Sequence, residues 1–345
     1  MVLRADDLIA VCRPGGMTGR AALGELLALA GSEQQATPLG ACGSSWTATN
    51  TTPVGDHVWT ASCWSPQLGL YCAVSATGVM LSSDGWNWQP VPLAVTSGWT
   101  DVDWSPQLGR FVAVSNTVTG AVPNVAWSDD GRTWVSAGYQ SGPWRGLCWA
   151  AELGLFVAVS GGNPAVMVSA DGKQWQVQTA PESSWRRVCW SPSRRRLVTT
   201  SEAGTAMWSS DGRSWTLAKT TIAGSFFSTV WAEKLGLFVS MNANPTVGDA
   251  GVKHSPDGDV WTAVPRFNFG GRELVWADSR GLLVAVSNAG DNKRVATSKD
   301  GRTWLLGNAA SGTTASWNTL VWSPQRAQLC GFGTSGTGNR VMVSP

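Results

Sequence analysis

Charge, histidine and tyrosine are what this chain has least of. Only 14% of its 345 residues are charged, and the net charge is +2. A basic field able to track a phosphate backbone is therefore not expected, and no nucleic-acid partner is read from the sequence. Two histidines, His57 and His254, and two tyrosines, Tyr71 and Tyr139, serve the whole chain. No apolar run approaches the roughly 18 residues that a membrane helix needs, so membrane insertion is not expected. The start, Met1-Val-Leu-Arg-Ala-Asp-Asp, has acids where a secretion signal has a basic and then an apolar run. The sequence thus predicts folding in a cytoplasm. Seven cysteines are present without metal-ligand spacing. Cys63, Cys148 and Cys189 hold a slot where other repeats carry Asp103, Val230, Val275 and Val321. Cys72 and Cys330 hold the slot of Val112 and Val157. A cysteine that alternates with valine behaves as a small apolar residue. Neither metal nor cofactor is expected.

Glycine and tryptophan are abundant instead, at 40 and 22 residues, and they fall in register. The pattern Ser-x-Asp-Gly-x-x-Trp occurs six times, at residues 82–88, 128–134, 169–175, 209–215, 255–261 and 298–304. A second tryptophan recurs at Trp64, Trp104, Trp149, Trp190, Trp231, Trp276 and Trp322, seven times at intervals of 40 to 46 residues. Repeats of this length built from short strands signal a β-propeller with one blade per repeat. The fold class is therefore all-β: a seven-bladed propeller over residues 41–345, preceded by a small α/β segment over residues 1–40. Each blade reads as strands A to D from the axis outward. In the second blade, A is 99–104, B is 110–115, C is 124–128 and D is 133–137. The last repeat ends on strand C at residues 340–344. Its missing strand D is supplied by residues 43–50, where Gly43-Ser-Ser-Trp46-Thr matches Gly212-Arg-Ser-Trp215-Thr. Residues 43–50 and 317–345 should thus form one blade and close the ring.

The repeated aspartates Asp84, Asp130, Asp171, Asp211, Asp257 and Asp300 stand at C–D turns, where a carboxylate accepts following backbone N–H groups and glycine takes positive φ. They read as turn staples rather than as metal ligands or catalysts. The pattern resembles the Asp-box, or BNR, repeat of sialidases and of many non-enzymatic propellers, with the Asp-to-Trp interval one residue shorter. The resemblance implies the fold and is nearly silent on activity. Sialidase-like chemistry would need an arginine cluster together with a tyrosine nucleophile and its glutamate. Tyr71 takes a core slot of strand B, Tyr139 lies in a loop, and no nucleophile–base pair is visible. The expectation is a protein that is not an enzyme.

In such blades the A–B and C–D turns share one face of the disc, and the B–C and D–A loops share the other. The first set is uniform, as in Ser-Pro-Gln-Leu-Gly, while the B–C loops vary in length and are rich in Gly, Asn, Thr and Pro. Varied loops are where binding usually sits. At that face, Trp59, Trp99, Trp144, Trp185, Phe226 and Trp317 open strand A, five residues before each strand-end tryptophan, and Gly271 breaks the series. Two readings stand for these rings: packing between inner strands, or a binding face that stacks on sugars or anchors a protein. The neighbouring Arg145, Arg186 and Arg272 add donors for an anionic glycan.

Residues 1–40 lie outside the repeat. A short strand over 7–13 and a helix over 19–30 are expected, with Leu8, Ile9, Leu23, Leu26 and Leu27 as anchoring apolar residues. Such a face needs a covering partner. Arg13-Pro-Gly-Gly-Met-Thr-Gly-Arg-Ala-Ala-Leu-Gly-Glu-Leu-Leu, ahead of tryptophan-rich blades, resembles the adaptor segments of tailed-bacteriophage virion appendages. That resemblance implies a virion structural protein held in several copies by other virion proteins through residues 1–40. Its propeller would contact host-surface glycan or protein, with a purely architectural tail or baseplate role as the alternative.

Overall fold

A computed structural model describes residues 43, 45–49, 54–92, 97–120, 122–221, 223–244, 251–265, 267–288, 294–310 and 316–345. The expected strand and helix of residues 1–40, with Leu8, Ile9, Leu23, Leu26 and Leu27, lie outside the described residues, as do much of the B–C loops 242–251 and 288–293. The described chain is an all-β ring of seven four-stranded antiparallel sheets. Within a blade the strands follow in chain order, as a meander. Blade 2, for example, runs Trp99–Ser105, Arg110–Ser115, Val125–Ser128 and Val135–Ser136. Blade 7 departs from that order. Its strands Trp317–Ser323, Gln328–Gly333 and Val341–Ser344 are completed by Thr47–Thr49, and Ala48 lies opposite Met342. Pairing chain ends inside one blade joins first and last repeats by a sheet ladder instead of an open seam.

Burial follows from the alternation of strands stacked face to face. Strand B is buried on both faces and reads as a continuous apolar run, Leu155-Phe-Val-Ala-Val-Ser160 in blade 3. Seven apolar clusters result, one at each blade–blade interface. At the interface of blades 1 and 2, Ala61, Cys63 and Cys72 meet Trp99, Val102 and Trp104. At that of blades 7 and 1, Phe332 and Val321 meet Trp59, Tyr71 and Trp88. Outermost strands are only two or three residues long where described, as at Val135–Ser136 and Thr216–Leu217, which limits the free edge each blade offers. Five cysteines are described, all as free thiols, and burial pushes those of Cys63, Cys148, Cys189 and Cys330 well up.

The repeated motifs have local work. In the blade 2 turn, Asp130 Oδ1 accepts the N–H groups of Arg132 and Thr133, each at 2.7 Å, and the Ser128 hydroxyl at 3.0 Å. Gly131, at φ +73°, puts its carbonyl where the Trp134 indole N–H donates to it at 2.9 Å. The other five turns repeat this set, from Asp84 to Asp300. On the same face the glutamine of the Ser-Pro-Gln turns links blades. Gln67 accepts from the indole of Trp104 in the next blade at 2.8 Å, Gln107 from Trp149 at 2.6 Å, and Gln325 from Trp64 at 2.7 Å. Glu152 does the same for Trp190. Blade 5 has Lys234 in this slot, a donor only, and the Trp276 indole N–H of blade 6 is left buried without a partner.

Candidate functional site

Each innermost strand must do two things at its first residues: seal against a neighbouring blade and face the axis. A plain strand alternates sides and cannot aim two successive side chains that way. In six blades a register break at this point supplies the extra residue, between Trp59 and Ala61, Trp99 and Asp101, Trp144 and Gly146, Trp185 and Val188, Phe226 and Ser228, and Trp317 and Thr319. A β-bulge of this kind re-aims side chains. The aromatic goes into the blade interface, and its successor goes to the axis.

The burial of the aromatics decides between their two readings in favour of packing and corrects their candidacy as a binding face. Trp59, Trp99, Trp144, Trp185, Phe226 and Trp317 are all at most 2% exposed. Their rings belong to the interface clusters and present no face to a ligand. The candidate stacking series is therefore core. Burial pays back far more for an indole between two sheets than at a solvated rim.

The residues one position on build a cavity of about 140 Å³ at the strand A ends, lined by Thr60, Thr100, Arg145, Arg186, Arg187, Phe227, Arg272 and Asn318. Every blade contributes to it. In blades 7, 1 and 2 the axial side chain latches the next blade. Asn318 donates to the Trp59 carbonyl at 3.1 Å, Thr60 to the Trp99 carbonyl at 2.7 Å, and Thr100 to the Trp144 carbonyl at 2.8 Å. In blades 3, 4 and 6 the slot holds arginine, and in blade 5 it holds Phe227.

Two layers of charge occupy this axis. Deeper, Arg187 of blade 4 pairs with Asp101 of blade 2 and, at 2.8 Å, with Glu273 of blade 6. Partners from blades 2 and 6 meet only by reaching the centre, so Arg187 bridges the channel. Asp101 is also fixed by the Leu147 N–H at 2.8 Å, and Glu273 by the Ser228 hydroxyl at 2.6 Å. Burial alone would lower the Arg187 pKa, but these two carboxylates carry it above its ordinary value. Burial pushes the Glu273 carboxyl up, with Arg187 opposing.

Nearer the strand ends, Glu202 receives both Arg145, at 3.3 Å, and Arg186. Arg272 has no carboxylate among the described residues. It lies 4.5 Å from the Phe227 ring centroid, and Arg186 lies 4.0 Å from it. The Nε groups of Arg145, Arg186 and Arg272 are buried without hydrogen-bond partners. Burial, reinforced by the neighbouring Arg145, Arg187 and Arg272, depresses Arg186 to about 9. Burial also lowers Arg145 and Arg272. Three carboxylates, Asp101, Glu202 and Glu273, pair with these guanidinium groups, and Arg272 has none. The buried Asp103, whose carboxyl burial pushes up to about 7, lies near enough to Arg187 and Asp101 to feel both charges. An added anion would relieve the strain among the arginines and satisfy idle donors.

Two glycines make the cluster possible. At Gly146 a Cβ would strike the Arg186 backbone carbonyl, so glycine allows the close approach of blades 3 and 4 there. At Gly161 a Cβ would overlap the Arg145 guanidinium. Sequence reading placed Arg145, Arg186 and Arg272 beside the aromatic series as auxiliary donors. The structure makes them the principal groups and adds Arg187 and Glu202, which spacing did not single out. A signal was present: the slot after each aromatic, or after Gly271 in blade 6, reads Thr, Thr, Arg, Arg, Phe, Arg, Asn around the ring. No group of His, Cys, Asp and Glu suited to a metal ion occurs among the described residues.

The class that fold and site define is a seven-bladed β-propeller with a cationic axial pocket. No protein-family profile matches the chain, and no curated protein does. Solved structures do. A streptogramin B lyase superposes with a TM-score of 0.70 over 87% of this chain and 97% of its own, at 7% identity. A catalytically inactive virginiamycin B lyase from Staphylococcus aureus, solved with quinupristin, gives 0.70 over 87% and 98%, at 10% identity. YCF48 bound to a D1 peptide gives 0.62 over 90% and 98%, at 16% identity. Likeness at these identities establishes the propeller and nothing finer.

Proposed function

We propose that this protein is a non-enzymatic recognition propeller whose axial arginine pocket binds an acidic group of a surface glycan. The observation that carries the reading is the set of three guanidinium groups, Arg145, Arg186 and Arg272, half-buried around one cavity with only Glu202 to balance them. Arginine is suited to carboxylate recognition because its planar fork offers paired donors. Hydrolysis of such a glycan is disfavoured. Tyr71 is fully buried between blades and Tyr139 stands in a loop, so neither lines the cavity. The virginiamycin B lyase variant is inactive with one histidine replaced by alanine, whereas no histidine lines this cavity.

The blade style and the Arg13–Leu27 segment support a wider setting: a bacteriophage virion component, held in several copies by other virion proteins through residues 1–40, with this face toward the host. Multiple copies convert weak single-site binding into avidity. A second reading, docking of an acidic peptide from another virion protein, is favoured by the peptide seen on the YCF48 propeller. Calorimetry of the full chain with galacturonate and with galactose tests the pocket. The two sugars differ only in the carboxylate, so galacturonate should bind and galactose should not. Arg272→Ala should weaken galacturonate about tenfold or more while leaving the melting temperature nearly unchanged. Equal binding of both sugars, or an unaffected Arg272→Ala variant, would sink the reading.

A further inference from the structure

Glu202 stands in an unusual relation to the pocket. It is the residue that follows strand B in blade 4, a slot filled elsewhere by Ala76, Asn116, Gly161, Ala243, Asn288 and Thr334. It is the single acid in that slot, and it is placed against the arginines by its own backbone. The Glu202 N–H donates to the Ser184 carbonyl at 3.0 Å, and the Gly204 N–H to the Ser201 carbonyl at 3.4 Å. The Ser201 hydroxyl receives the Ala203 and Thr205 N–H groups at 3.2 and 3.1 Å. The turn is thereby fastened while the carboxylate reaches inward on a side chain that keeps 28% of its surface exposed. One oxygen takes Arg145 and the other takes Arg186. No further acceptor bond to this carboxylate is made by a described backbone group, in contrast with Asp101 and Glu273 below it, which N–H or O–H donors pin in place.

We infer that Glu202 is an internal stand-in for the ligand's carboxylate. It holds Arg145 and Arg186 in binding position, and it swings toward solvent when the carboxylate of an acidic sugar takes its oxygens' places. This inference rests on the anion-pocket reading above. Three features fit it. The site already coordinates a carboxylate, so the arginine pair has the geometry for one. The displaced group is partly solvated and tethered only by its side chain, so its departure breaks no ladder. Finally, Arg272 and the idle Nε groups offer an incoming ligand donors that Glu202 does not use, which gives the ligand its advantage. The stand-in also sets specificity, because an anion too weak to displace it cannot enter.

The test compares the full-length wild type with Glu202→Gln, whose side chain keeps the shape and loses the charge. Titration with galacturonate, with galactose as control, should show binding about tenfold tighter in Glu202→Gln, the competitor having been removed. In the wild type the Arg145 and Arg186 side-chain Nε–H resonances should shift on titration, and in Glu202→Gln they should shift at lower sugar concentration. If wild type binds galacturonate and Glu202→Gln binds it equally or more weakly, Glu202 is a positioning residue and the inference is overturned while the pocket stands. If neither protein prefers galacturonate to galactose, the pocket reading itself fails and takes the inference with it. Should Glu202→Gln not fold, Glu202→Asp serves, since its shorter side chain cannot span both arginines and should also tighten binding.

Discussion

The two halves of the axial ring use one backbone device for opposite ends. In blades 7, 1 and 2 the axial residue is Asn318, Thr60 or Thr100, short and neutral, and each donates to the carbonyl of the neighbouring aromatic. In blades 3, 4 and 6 the equivalent residue is Arg145, Arg186 or Arg272, long and charged, and it makes no such link. The seam on that side is held by other means. Gly146 lets blades 3 and 4 come into backbone contact, and Ser228 of blade 5 receives the Leu274 N–H of blade 6 at 3.0 Å. Closure and the placement of charge are thus separable tasks at one position of the repeat. Where closure has been moved to other residues, the axial position is released for charge.

Arg187 joins the halves, and removing it should produce the largest effect. Arg187→Ala leaves Asp101 and Glu273 buried without their cation, and loss of one partner of a buried ion pair typically costs about 3–5 kcal/mol. Urea unfolding monitored by tryptophan fluorescence should show this as a lower midpoint. A shift smaller than that of a surface substitution would mean that Arg187 does not bridge the channel. Arg272→Ala separates the halves from the other side: binding falls and stability holds.

Thr60→Val and Thr100→Val should do the reverse. Each loses one inter-blade hydrogen bond and leaves a carbonyl less satisfied, for about 0.5–1.5 kcal/mol of stability, with galacturonate binding weakened far less than in Arg272→Ala. If either variant impairs binding as strongly as Arg272→Ala, the division of labour around the ring is wrong. On the opposite face, Lys234→Gln should restore the missing link to Trp276 and raise stability by up to about 1 kcal/mol, read as a higher melting temperature. No gain would show that the Gln–Trp links are incidental.

Acid should probe the turn face through the carboxyls whose pKa values are lowered there. Partial burial pushes the turn carboxyls up, but hydrogen bonds from the backbone outweigh it. Asp84, held by the Asn87 and Trp86 N–H groups, falls to about 2, and Asp300, held by Thr303 and Arg302, falls to about 2. Asp130, Asp171, Asp211 and Asp257 are lowered in the same way. A carboxyl whose pKa is lower folded than unfolded stabilises above its unfolded pKa, near 4, and loses that contribution as pH falls through its folded value. Stability should therefore decline from about pH 4 toward pH 2, and Asp130→Asn should blunt the decline.

The repeat made the ring legible from the chain alone. Ser-x-Asp-Gly-x-x-Trp needs only neighbours in sequence to close its turn, so spacing reveals the blade count, and Trp46 matching Trp215 reveals where the last strand comes from. Boundaries of strands B were equally plain, as at Arg110–Ser115, because burial on both faces writes an unbroken apolar run. Strand D was read too long in blade 2, over 133–137 against Val135–Ser136, since an exposed outer strand carries little pattern.

The axial site was not legible in that way. Whether Trp99 or Arg145 faces the channel depends on a one-residue bulge, and a bulge shows only as a break in hydrogen-bond register between two strands. Arg187 and Glu202 acquire meaning from partners 86 and 57 positions away in the chain. By itself the sequence determined the ring, its seven blades and its closure, because those follow from contacts within one repeat and between identical neighbours. Tertiary structure alone decided which residues meet at the axis, because that meeting requires all seven repeats to be in place at once.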